Sequence, residues 1–175
     1  TASVELSLDG QRMLLKSGKS RFTLSTLPAS DFPNLEDTLA GSYSLTLTQG
    51  ALKTLIDKTA FAMAQQDVRY YLNGMLFEVT SDRLRVVATD GHRLALCDAP
   101  IQAGVSEKRQ VIVPRKGVQE LSRLLSDGDD EVTLTLGTNH LRVTVGNVTF
   151  TSKLIDGRFP DYERVLPKNG DRVLV

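Results

Sequence analysis

Cysteine is nearly missing from this sequence. Cys97 is the single one in 175 residues, so no disulfide can close within the chain, and the composition fits a reducing cytoplasm. Histidine is scarce as well: His92, His140 and one cysteine do not make a zinc-ligand set. No apolar run approaches the roughly 18 residues of a membrane span. The first residues, Thr1-Ala2-Ser3-Val4-Glu5-Leu6, have neither the basic start nor the long apolar core of a signal peptide. Excess charge of either sign is also missing, with 21 basic and 21 acidic residues. That argues against an indiscriminate nucleic-acid binder, although a neutral total also describes a basic face balanced by an acidic one. Gly18-Lys19-Ser20 invites a phosphate-loop reading, but Met13 stands where that motif needs glycine and no strand-loop-helix context follows. What remains, 41% apolar and 24% charged, is the composition of a soluble globular protein.

The chain contains an internal repeat. Ser25-Thr26-Leu27 followed by Phe32-Pro33-Asn34-Leu35-Glu36 aligns without gaps to Ser152-Lys153-Leu154 followed by Phe159-Pro160-Asp161-Tyr162-Glu163, about 127 positions later. Val4 to Leu8 matches Val132 to Leu136 with one further residue of shift. A period this long is a tandem domain rather than a solenoid unit. The expected organisation is the end of a first copy over residues 1–41, a complete copy over 42–165, and a first strand of a third copy at 171–175. Both ends then fall inside domains, which is the expectation for a fragment of a longer protein.

Periodicity supplies the elements. Residues 3–8 and 12–16 alternate around Asp9-Gly10 as a hairpin, and 19–27 makes a third strand. Within the complete copy, 43–48 alternates as a strand. Leu52, Leu55, Ile56, Thr59, Ala60 and Met63 then recur at helical spacing, predicting a helix over about 50–64. Strands follow over 72–79, 84–89 and 93–99, with Asp90-Gly91 suited to a tight turn, and residues 100–108 read as a linker. The order repeats: a strand at 109–113, a helix after Pro114 with Val118, Leu121, Leu124 and Leu125 on one face, and strands at 131–136, 140–145 and 148–153. This predicts an α+β domain of two strand-helix-three-strand halves, its two helices packed against antiparallel sheets.

Residues 67–96 gather the polar chemistry. Asp90 and His92 at a turn, followed by Arg93, raise the possibility of an enzyme acting on nucleic acid. No nucleophile elbow, metal set or orienting third group accompanies them, and an ordinary hairpin with a polar tip uses the same residues. Arg69, Tyr70 and Tyr71 form instead the pairing favoured at binding hot spots, although adjacent tyrosines also serve as ordinary packing. Arg115, Lys116, Gln119 and Arg123 lie off the leucine stripe of the second helix, a face able to follow a phosphate backbone or simply to meet water.

Four blocks carry a resemblance to a known family: Asp67 to Leu76, Ala88 to Leu94, Val113 to Gly117 and Asp156 to Tyr162. Together and in this order they closely resemble the bacterial DNA polymerase III β subunit, the sliding clamp, and the resemblance covers essentially the whole chain. It implies the clamp fold, with three similar domains per subunit and two subunits closing head to tail around duplex DNA. It places the end of the first domain at 1–41, the whole second domain at 42–165 and the start of the third at 166–175. It implies a processivity factor of the cytoplasm, without cofactor, metal or catalytic residues. The polymerase, the clamp loader and repair proteins would dock on it through short peptides with Gln, Leu and Phe anchors. The pocket for those peptides maps by resemblance to Arg69, Tyr71, Leu72, Thr89, Gly91, His92, Arg93, Leu94, Pro160, Arg164 and Val165, and in the family also takes residues from later in the third domain. The DNA path maps to Gln66, Tyr70, Tyr71, Arg115 and Lys116. Ring closure joins first and third domains, so the expectation is that this fragment alone does not form the ring.

Overall fold

In the computed structural model, residues 3–32 and 42–167 are described. The chain divides into two compact units, residues 1–36 and 37–175. The first is an antiparallel meander of β1 (Glu5–Asp9), β2 (Arg12–Ser17) and β3 (Ser20–Ser25). Its register sets Leu6 opposite Leu15, Leu8 opposite Met13, Met13 opposite Leu24 and Leu15 opposite Phe22. These apolar residues therefore share one face, and Leu6, Leu8, Phe22 and Leu24 are exposed. The third-copy strand expected at 171–175, and the repeat residues Pro33 to Glu36, lie outside the described residues.

The second unit runs β4 (Tyr43–Thr48), α1 (Gln49–Asp57), β5 (Gly74–Val79), β6 (Arg83–Thr89), β7 (Leu94–Pro100), β8 (Arg109–Pro114), α2 (Arg115–Leu124), β9 (Glu131–Leu136), β10 (His140–Val145) and β11 (Val148–Lys153). The two strand-helix-three-strand halves are as expected from the pattern, but they do not form separate sheets. The four-stranded sheets have the orders β11-β10-β9-β4 and β7-β6-β5-β8. Each half thus lends its first strand to the edge of the other's sheet, β4 pairing with β9 and β8 with β5.

One core joins both helices to both sheets. Leu52, Leu55 and Ile56 of α1 and Val118 and Leu121 of α2 meet Met75, Phe77, Val86, Leu134 and Leu141 from the strands, all essentially without solvent contact. Burying such side chains contributes about 1.5–3 kcal/mol each. The helix starts are secured in a matching way. The Gln49 and Gly50 N–H groups donate to the Asp130 and Gly128 carbonyls before β9, and the Arg115 N–H donates to the Asn73 carbonyl before β5. Each satisfies orphan donors of a helix N-terminus.

Three boundaries differ from the sequence expectation. The first helix stops at Asp57 rather than near residue 64, because the Thr59 hydroxyl donates back to the Leu55 carbonyl at 2.7 Å and the chain tightens into a 3-10 turn at Ala60–Ala62. Ala62 and Met63 remain buried, so the apolar spacing continues past the helix. Residues 70–72 form a 3-10 turn, and the strand begins at Gly74. The β6–β7 turn spans four residues, Asp90 to Arg93, since the ladder closes at Thr89 opposite Leu94.

The β7-β6-β5-β8 sheet is covered on both faces. Its inner face meets the helices; its outer face carries Leu76, Val87 and Ile112, which pack under Phe159 and Tyr162 of the segment following β11.

Candidate functional site

Three loops converge beside that outer cover. The first is residues 64–73, held by Asn73, whose side-chain amide donates to the Asp67 carbonyl and whose oxygen accepts from the Asp67 N–H, both at 2.9 Å. Gln66 within it has φ 55°, the left-handed region. The second is the turn at Asp90–Arg93. One Asp90 carboxylate oxygen accepts from the His92 and Arg93 N–H groups at 2.9 and 3.0 Å, and the other from Arg93 Nε at 3.1 Å. Those backbone donors, His92 first, hold the Asp90 carboxyl below its ordinary pKa. Gly91, at φ 89°, completes the turn, and its N–H donates to the Thr89 hydroxyl, which itself donates to the Arg93 carbonyl at 2.7 Å. The third is the segment Phe159–Val165, with a 3-10 turn at Tyr162–Arg164.

Arg69 ties the first loop to the second. Its guanidinium grips both oxygens of Asp67 at 3.0 and 2.8 Å and reaches the Asp90 carbonyl at 3.3 Å. The Arg69 side chain holds the Asp67 carboxyl down at about 2. Between the three loops lies a groove of about 430 Å3. Leu72, Leu94, Pro160 and Val165 supply apolar lining; Arg69, Thr89, His92 and Arg93 supply the polar part. Tyr71 and Gly91, also expected from sequence, line it as well. At the same turn, the Arg93 guanidinium also lies 5.5 Å from the ring centre of exposed Phe61.

Of the expected pocket residues, Arg164 does not line the groove: its side chain is 84% exposed and paired with Asp161 at 2.9 Å. Asp161 and Tyr162 line it and were missed. Tyr162 ends the motif block Asp156 to Tyr162, but motif matching does not tell which side of a short turn faces a groove. The Asp90–His92 pair has no catalytic geometry, because both Asp90 oxygens are committed to the turn and Arg93. Among the described residues no group of three or more His, Cys, Asp or Glu is placed to hold a metal ion, and no helix is long and apolar enough to cross a membrane.

The other expected surface lies around the start of α2. Gln66 and Tyr70 are exposed, and Tyr70 meets Tyr71 edge-on at 5.8 Å. Lys116 is exposed, while Arg115 is half-buried and donates to the Met63 carbonyl at 3.4 Å. The Arg115 backbone bond to Asn73 places the 64–73 loop at this helix start. The loop thus lies between the basic helix terminus and the groove.

The chain matches two family models, the DNA polymerase III beta subunit central domain over residues 46–161 and its N-terminal domain over residues 1–36. It is 58% identical over 172 residues to the beta sliding clamp of Pseudomonas aeruginosa, covering 98% of this chain and 47% of that protein. The beta sliding clamp of Escherichia coli K12 is 57% identical over 173 residues, covering 99% of this chain and 47% of the relative. The crystal structure of the DNA polymerase III subunit beta from Pseudomonas aeruginosa superposes with a TM-score of 0.87 at 58% identity, over 97% of this chain and 47% of that one. The chain therefore spans about half the length of the curated relatives it matches.

Proposed function

The chain belongs to the DNA polymerase III beta-subunit family, the sliding clamps, and from that premise we propose that it is the peptide-docking portion of a DNA polymerase processivity factor. The longer protein would encircle duplex DNA, slide along it in the cytoplasm, and tether replication and repair proteins. It would be an accessory subunit without chemistry of its own. Residues 1–41 are the end of the first clamp domain, 42–165 the whole second and 166–175 the start of the third. Ring closure between two subunits is a property of the longer protein and not of this stretch alone.

The observation that carries the reading is the groove itself, whose lining joins Thr89, Gly91, His92, Arg93 and Leu94 to Pro160, Asp161, Tyr162 and Val165. An extended peptide with Leu and Phe anchors fits such a site, each buried anchor being worth about 1.5–3 kcal/mol. After the cost of association this supports binding on the order of micromolar, weak enough for partners to exchange. Gln66, Tyr70, Tyr71, Arg115 and Lys116 are the proposed DNA-facing residues. An enclosing ring needs only a few phosphate contacts, so a neutral chain is no obstacle.

The test is a titration of a fluorescein-labelled Gln-Leu-Ser-Leu-Phe peptide, read by anisotropy. Replacing both His92 and Leu94 by Ala should weaken binding at least tenfold, about the loss of one well-buried anchor contact. Equal binding by wild type and variant would sink the groove assignment.

A further inference from the structure

The outer face of the β7-β6-β5-β8 sheet carries two cross-strand rows. Ile112, Leu76, Val87 and Leu96 stand opposite one another in the first; Gln110, Glu78, Arg85 and Asp98 stand in the second, two residues along. The second row holds two pairs of polar contacts. The Gln110 amide donates to Glu78 Oε2 at 2.7 Å, and Arg85 holds both oxygens of Asp98 at 2.6 and 2.8 Å. Lys108 and Arg83 bring cations to 3.3 and 3.6 Å from the Glu78 carboxylate. Glu78 is only 1% exposed, so its charge must be met by these partners.

One group enters the row from outside the sheet. The Tyr162 hydroxyl donates to Glu78 Oε1 at 3.0 Å and accepts from Arg85 at 3.4 Å, with the Arg85 guanidinium 6.0 Å from the ring centre. Tyr162 is one of the residues lining the groove, and its carbonyl accepts the Val165 N–H at 3.1 Å. The same residue therefore touches the buried carboxylate with its hydroxyl, packs its side chain in the apolar cluster over the sheet, and belongs to the groove lining. Phe159 and the Tyr162 ring also anchor the segment by apolar burial, and just before it the Ile155 N–H donates to the Ile112 carbonyl at 2.9 Å.

We propose that Tyr162 and Glu78 are positioning residues of the groove: their hydroxyl–carboxylate bond, backed by Arg85, latches the Phe159–Val165 wall where a docking peptide needs it. The inference rests on the groove being a peptide site. It adds that affinity is set partly by two residues, one of them wholly beneath the surface.

Tyr162→Phe removes the bond and keeps the ring; Glu78→Gln removes the charge and keeps the shape. The experiment uses the longer protein that carries this chain, with folding of each variant checked by circular dichroism. Amide hydrogen exchange is measured first, without peptide. Loss of a bond to a buried charge should speed exchange at the Val165 amide about tenfold or more, while the Val143 amide in β10 keeps its rate. The anisotropy titration should then show Kd raised about threefold to tenfold, because a smaller fraction of molecules has the wall in place. The double variant should bind no worse than the weaker single one, as expected of two ends of one contact. Unchanged exchange at Val165 would overturn the latch, and faster exchange with unchanged Kd would overturn its role in binding. Equal acceleration at Val143 would reduce the effect to general destabilisation and overturn the inference too. Absence of peptide binding by the wild type would instead remove the groove reading, and the exchange comparison would still decide whether the hydroxyl seats the segment.

Discussion

Replacing Gly74 by Ala tests the close packing of β5 against β8, next to the groove residue Leu72. Gly74 opens β5, opposite Pro114, two residues after Leu72. An added Cβ would stand 2.6 Å from the Val113 carbonyl oxygen, 2.9 Å from Ile112 Cγ2 and 3.0 Å from Ile155 Cδ1. The first of these is backbone, fixed by the β5–β8 ladder, so the strand must shift rather than a side chain turn aside. Overpacking of this kind costs about 1–3 kcal/mol. The loss of glycine's freedom in the unfolded chain offsets about 0.4–1 kcal/mol of that. The net expectation is a destabilisation of about 1–2 kcal/mol, lowering the urea midpoint by about 1 M for an ordinary dependence on denaturant. All four tyrosines, at positions 43, 70, 71 and 162, lie in the second unit and the chain has no tryptophan. Tyrosine emission therefore follows that unit alone. Gly104→Ala is the control: nothing lies within 4 Å of its added Cβ, and its stability should stay within about 0.5 kcal/mol of wild type. A Gly74→Ala midpoint equal to or above wild type would refute the reasoning.

Two further outcomes follow from charges already described. In the longer protein, Lys116→Ala should weaken retention on DNA similarly for all sequences and reduce the slope of log affinity against log salt by about 1, measured by binding at several ionic strengths. Glu78 has its pKa below the ordinary value, because although burial alone would raise it, Gln110, Tyr162 and Lys108 together outweigh that effect. A depressed carboxylate stabilises the fold fully above the unfolded value near 4.5, and the contribution is lost as pH falls through the lower folded value. Urea midpoints followed by tyrosine emission should thus fall from about pH 4.5 downward, and Glu78→Gln should fall less steeply over that interval. A variant as steep as wild type would show that Glu78 is not among the groups responsible.

The elements were legible because each side of the fold writes its own period: Leu52, Leu55 and Ile56 mark a helix, and Val132, Leu134 and Leu136 mark a strand buried on one face. The groove was legible only through motif blocks, since Thr89 to Leu94 and Pro160 to Val165 are distant in sequence and no local pattern pairs them. Three of the differences have a plain physical reason. The early end of α1 depends on a hydroxyl turning back on its own helix. The exchange of β4 and β8 between sheets is a question of partners, on which alternation is silent. Glu78 did carry a signal, a lone charge among Met75, Leu76, Phe77 and Val79 in a strand buried at every position. Such a residue demands partners, but sequence does not say that one comes from Tyr162.

The exchanged edge strands also govern how the second unit assembles. Neither half can complete a four-stranded sheet alone, since β4 must find β9 across most of the domain, Tyr43 meeting Leu136. Closing such long loops before any pairing is gained makes folding slow relative to a chain of local hairpins. It also makes the halves complementary fragments. A chain opened between β7 and β8 would leave each piece with one bare sheet edge and one unpaired strand, and the piece that fits each edge is the other half.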